Sequence, residues 1–338
     1  MRRLSVVFAL VAAAAVQAQR PGLIVLNKSA GTASIISLDD GKTIATVPVG
    51  EAPHEVAVSP DGLWAIAANY GTGPAPGRTL TLIDLRSRQP VRTIDMGEYL
   101  RPHGIEWLSD GKHVLVTSEA ARVIVTVDVS TGKVDRVIRT NQPGHLFTLS
   151  RDEKRLWSAN IGSHSVSLVD FTTGDVIKTV PSGASPEAND VSPDGKELWV
   201  ADGGQNRITI MNAATLDSLA GLPAGGRPNR LHFTPDGRTV LVSNINSGTL
   251  LFYDARRRQL VDSLAFRIDA ARPGNVAGSA SLSAAPEGIL LSPDGRRAWI
   301  ALAGADRLAE IDLATRKVAR YITTGAAPDG MAYLASLP

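Results

Sequence analysis

Three of the six histidines in this chain share one setting. Pro53-His54-Glu55, Pro102-His103-Gly104 and Gly144-His145-Leu146 each open a short, mostly apolar run. The matching place lies directly after the proline, or five residues before the Ser or Thr of the turn that follows. Further down the chain it holds Glu187, Asn229, Glu287 and Asp329. All seven are polar or ionisable, and scattering the histidines at random would put only about 0.1 of one in these places. His54, His103, His145 and Glu187 have the donor types of a site for Zn²⁺ or a Mn-like divalent ion, with a position left for water or substrate. An ion held there would acidify a water or polarise a carbonyl or carboxylate. The plainer use of the same histidines is to hydrogen-bond neighbouring strand ends. No Ser-His-Asp arrangement, phosphate loop or paired-carboxylate motif accompanies them.

Residues this far apart can meet only if the chain is a repeat. The turns Ser59-Pro60-Asp61-Gly62, Ser109-Asp110-Gly111, Ser150-Arg151-Asp152-Glu153, Ser192-Pro193-Asp194-Gly195, Thr234-Pro235-Asp236-Gly237 and Ser292-Pro293-Asp294-Gly295 recur at spacings of 49, 42, 42, 42 and 58 residues. Proline presets φ at the first central turn position and glycine accepts positive φ, so this tetrapeptide is turn chemistry. A period near 42 with short strands predicts propeller blades of four strands each. After each turn comes an apolar strand, and alignment puts Ile24, Ile66, Leu115, Trp157, Trp199, Leu241 and Trp299 in one row, as a packing layer requires. A third strand then ends in Ser37, Asp84, Asp128, Asp170, Asn212, Asp254 or Asp312, positions suited to capping the next turn.

Counting units predicts an all-β, seven-bladed propeller. The first unit, residues 23–49, lacks its inner strand, and Pro328 to Leu334 can supply it from the other end. Pairing the termini in one blade would close the ring and remove open sheet edges. Arg2 and Arg3, the apolar run from Leu4 to Val16 and the small residues near Ala18 read as a signal peptide over residues 1–18. The run is too short to span a bilayer. The propeller then occupies residues 19–338, in the periplasm or secreted. The absence of cysteine excludes disulfides, thiolate metal sites, c-type haem attachment and a thiol nucleophile. A formal net charge of +2 with no basic run argues against nucleic acid as a partner.

Strands of the type Pro-His-Glu-Val-Ala-Val-Ser-Pro-Asp-Gly and Leu-Trp-Ser-Ala-Asn resemble the YVTN-family β-propeller repeat of secreted, YncE-like proteins, from about residue 22 onward. The resemblance implies the fold and leaves function open, because such repeats serve binding proteins, surface layers and enzymes. In a propeller the first strand of each blade lines the central channel, which places the seven ring residues at its mouth. Three length excesses, Tyr70 to Arg78, Gly97 to Arg101 and about Arg267 to Ala285, emerge on the same face. They bring Tyr70, Arg78, Tyr99, Arg101, Arg267 and Arg272 toward the mouth, where arginines suit a carboxylate-bearing ligand. With Tyr70, Tyr99, Arg101, Asn229, Glu287 and Asp329 as ligand contacts, the leading expectation is a binding or assembly module for a small molecule, glycan or protein. The rival is a metal-dependent lyase or hydrolase acting on an acidic carbohydrate or a lactone.

Overall fold

The computed structural model describes residues 20–267 and 283–337. The expected signal peptide and Arg272 lie outside them. Among the described residues, seven four-stranded antiparallel sheets form. Blade 1 takes its inner strand from Pro328–Leu334 and its other three from Gly22–Asn27, Thr32–Ser37 and Thr43–Pro48. The inner strands of blades 2 to 7 are Pro53–Val58, Pro102–Trp107, Gly144–Leu149, Pro186–Val191, Pro228–Phe233 and Pro286–Leu291. Each inner strand lies against the next, and that of blade 7 against that of blade 1, so the ring is closed. No helix among the described residues is long and apolar enough to cross a membrane.

The turn chemistry works as the sequence implies. Ser59 donates its hydroxyl to Asp61 (2.6 Å) and accepts from the Trp64 amide, while Gly62 adopts φ 71°. Residues ending the third strands cap the following turn: Asp84 accepts from the Arg86 amide, Asp128 from Thr131 and Asn212 from Ala214. The aligned row of large apolar residues is buried throughout, with Trp199 and Ile66 at 0% exposure. Burying such a side chain stabilises by about 1.5–3 kcal/mol. The tryptophans are therefore core between blades rather than a stacking surface.

Two backbone devices place the site. First, every inner strand shifts register just after its opening residue, in blade 2 for example between Pro53 and Val56. Such a bulge re-aims the side chains it carries, and these include the ring residue. Second, the residue before the inner-strand proline is left-handed in five blades: Ala52, Arg101, Arg227, Ala285 and Ala327. That conformation costs roughly 1–2 kcal/mol for a residue with a Cβ. In return its carbonyl accepts the amide of a residue at or just beyond the end of the second strand. Lys28, Tyr70 and Glu119 are bonded in this way to Ala327, Ala52 and Arg101. A second row of side chains is thereby fixed beside the ring.

Candidate functional site

At the mouth the ring residues fall into two arcs joined by hydrogen bonds and ion pairs. One runs from blade 7 to blade 2: Glu287 pairs with Lys28, Lys28 Nζ lies 3.3 Å from Asp329 Oδ2, and that oxygen lies 3.3 Å from His54 Nδ1. The other runs from blade 2 to blade 6. Tyr70 donates its hydroxyl to Glu119 Oε2 (2.5 Å), and Glu119 Oε1 contacts His145 Nδ1. His145 Nε2 lies 3.6 Å from Glu187 Oε2, and Glu187 Oε1 lies 3.4 Å from the Arg227 guanidinium. His103 stands between the arcs, its ring centroid 4.6 Å from that of His54 and 3.9 Å from that of His145. It is 1% exposed, and its Nδ1 has no hydrogen-bond partner.

Burial decides the electrostatics. His103 is pushed well below the usual imidazole range by desolvation, reinforced by the histidines on either side. Burial alone would raise Asp329, but Lys28, His54 and Arg230 outweigh it and hold this carboxylate ionised. Glu287 is raised to about 7 by desolvation and by the Asp329 charge, so it is the acid of this pair that takes a proton. Burial would lower Lys28, yet Asp329 and Glu287 outweigh it and keep the ammonium charged. Burial raises Tyr70 to about 12, helped by Glu119, which leaves its hydroxyl a donor. For Glu119 the burial penalty is overcome by His145 and Tyr70, and its carboxyl sits below the ordinary range.

One step below the mouth, Arg230 reaches across the channel from blade 6 to Glu55 in blade 2 (2.7 Å) and also bonds Asn229 Oδ1 (2.9 Å). This ion pair bars the channel. Beneath it lies a void of about 330 Å³ lined by Glu55, Arg230, Glu106, His232, Leu290 and Met331. The void is separate from His54, His103 and His145. Glu106 opens onto this void with its side chain still exposed, and desolvation by the chamber walls, with Glu153 and Asp190 adding to it, raises its carboxyl to about 7. His232, which faces Asp190 at 3.4 Å, belongs to this lower chamber.

The structure thus gathers His54, His103, His145, Glu187, Asn229, Glu287 and Asp329 around one opening. Of the loop residues, Tyr70 joins them directly. Arg101 stands over the Tyr70 ring, 5.0 Å from its centroid, and donates to the Thr72 and Gly73 carbonyls. Tyr99 packs against the apolar cluster between blades 2 and 3, and Arg78 pairs with Asp95 (3.3 Å). Arg267 bridges Ser283 through its backbone. His164 is exposed at the left-handed end of a short 3₁₀ turn, and His113 pairs with Asp110 and Asp135. Sequence reading missed Lys28, Glu119, Arg227, Arg230 and Glu55. A signal for two of them was present. The residue that follows Asn27, Asn69, Ser118, Asn160, Asp202, Asn244 and Leu302 reads Lys28, Tyr70, Glu119, Ile161, Gly203, Ile245 and Ala303, polar only in three consecutive blades.

The family model described as YNCE-like beta-propeller matches residues 108–215. No curated protein matches the chain. Among solved structures it is similar to a functionally unknown protein from Desulfotomaculum acetoxidans DSM 771, at 16% identity over 92% of this chain and 98% of that one, with a TM-score of 0.73. It is also similar to Kuenenia stuttgartiensis hydrazine synthase, at 18% identity over 90% of this chain and 99% of that one, TM-score 0.71. A third likeness is to the dihydro-heme d1 dehydrogenase NirN in complex with DHE, at 15% identity over 92% and 74% of the two chains, TM-score 0.63. At these identities the likeness is one of fold. The family match falls within blades 3 to 5 of a ring that closes on seven, so the chain is a seven-bladed β-propeller that is similar to the YNCE-like family over those three blades.

Proposed function

We propose that this protein is an exported binding or assembly propeller that engages its ligand at the channel mouth. One observation carries the reading. Seven blades each send a polar side chain to a single opening, and the central one, His103, keeps a buried nitrogen without a partner. A cluster serving stability alone satisfies its buried polar atoms. Arg227 and Arg101 at the rim suit a carboxylate on a small molecule or glycan. A ligand that binds only the folded state at 100 times its dissociation constant stabilises it by about 2.7 kcal/mol. Thermal shift with galacturonate and with glucono-δ-lactone is therefore a direct test. Stabilisation by galacturonate that Arg227→Ala removes supports the reading. A chain indifferent to both compounds, or one whose Arg227→Ala form responds as the parent does, overturns it.

A specific observation favours a second reading, a metal-dependent lyase or hydrolase acting on an acidic carbohydrate or lactone. Ligating atoms of His103, Glu119 and His145 all lie within 4.8 Å of one another. Turnover of uronic-acid oligomers or of the lactone that requires added Zn²⁺ or Mn²⁺, and stops on chelation, would select this reading over simple binding.

A further inference from the structure

We infer that His103, Glu119 and His145 form a mononuclear site for a first-row divalent cation of the Zn²⁺ or Co²⁺ type, and that Glu187 orients His145 instead of ligating. The inference deepens the metal-dependent reading and rests on the same mouth. It changes the ligand set expected from the sequence, in which His54 and Glu187 were donors.

Distances come first. In a tetrahedral site with bonds of about 2.0–2.2 Å, ligand atoms sit about 3.4 Å apart. The three donors here lie within 4.8 Å of one another, so movements of about 1 Å complete the set. His103 supplies the second argument. Its Nδ1 is buried without a partner, an arrangement that costs about 1–3 kcal/mol unless something binds there.

Donor chemistry selects the ion. Two imidazoles and a carboxylate suit Zn²⁺ and its first-row neighbours, whereas Ca²⁺ and Mg²⁺ take all-oxygen sets. Three protein donors leave a position open for water or a ligand oxygen. The surroundings match what metal ligands need behind them. Glu119 Oε1 and His145 Nδ1 face each other, leaving Glu119 Oε2 to the Tyr70 hydroxyl and His145 Nε2 to Glu187. Glu187 is in turn held by Arg227. Charge agrees: at this mouth Glu187 and Asp329 pair with fixed cations, Arg227 for the one and Lys28 and Arg230 for the other, whereas Glu119 is ion-paired only to His145.

The test uses tag-free full-length protein stripped with a chelator and titrated with Co²⁺ followed by its visible absorption. One equivalent should bind with the intense bands of four-coordinate cobalt. Glu119→Gln, which keeps the size and the Tyr70 hydrogen bond, should weaken binding at least 100-fold. Glu187→Gln should weaken it only about tenfold. Anomalous scattering from cobalt-soaked crystals should place the ion between His103, Glu119 and His145, a result that needs no variant to fold. An ion elsewhere, or Glu187→Gln abolishing binding while Glu119→Gln spares it, overturns the assignment. No cobalt uptake by the parent chain also overturns it. Galacturonate binding in the metal-free chain would then show that the mouth is still a ligand site.

Discussion

Asp329 shows how much the mouth depends on single groups. It is 1% exposed and faces Lys28, His54 and Arg230 together. Removing one partner of a buried ion pair strands the others, at a cost of about 3–5 kcal/mol. Asp329→Ala should therefore lower stability by that amount in urea unfolding, and a variant within about 0.5 kcal/mol of the parent would contradict the ionic account. Glu106 makes the opposite contribution. Its folded pKa of about 7 lies above the ordinary 4.5, so the folded state holds this proton more tightly than the unfolded chain does. The resulting stability is complete below about 4.5 and is lost as pH rises through about 7. Glu287 shifts in the same direction. Below about 6.5 the neutral His103 opposes this trend, since the unfolded imidazole binds a proton that the folded one does not. Above that pH the melting temperature should fall, and Glu106→Gln should flatten part of that fall. An unchanged slope would show that water in the channel screens this carboxyl.

Inner strands are where sequence reading succeeded and where it stopped. The ring positions were legible because each follows the same Pro or Gly and precedes the same turn, so one offset finds seven residues. The neighbours were not, because two devices hidden in the pattern bring them in. The bulge after the opening residue lets Glu55 and Arg230, one place further on, meet across the channel. The left-handed residue before the proline fixes Lys28 and Glu119 beside the ring, though both read as ordinary loop residues. Arg227 was passed over because its position before the proline carries no shared chemistry. Close approach of these strands has its own requirement. A Cβ at Gly330 would lie 2.2 Å from the His54 carbonyl oxygen and 2.8 Å from Glu55 Cα. Gly330→Ala should cost about 3 kcal/mol, the upper range for overpacking, because backbone has to move. It should also weaken ligand or metal binding at the mouth. A variant as stable as the parent would mean that these strands have slack.

The whole molecule depends on one composite blade. Its inner strand comes from the far end of the sequence and pairs Leu334 with Gly22 and Ala332 with Ile24. Leu337 lies against Gly22, and its amide donates to the Arg20 carbonyl at 2.6 Å. Deleting residues 328–337 should lower the melting temperature by far more than a fraying end could, and should promote aggregation through the bared edge. A deletion variant that melts with the full chain would refute ring closure as a source of stability. The fold was readable at this scale since turn chemistry repeats in every blade, whereas residues 268–282 form a stretch with no repeat to compare. The same composite blade sets how the disc answers force. Because Gly22 and Leu334 face each other across an antiparallel pair, a load applied at Arg20 and Leu337 breaks the ladder one bond at a time, like a zipper. A tether on these two residues should open the disc at a lower force than a tether between two other blades, where whole strands must shear at once.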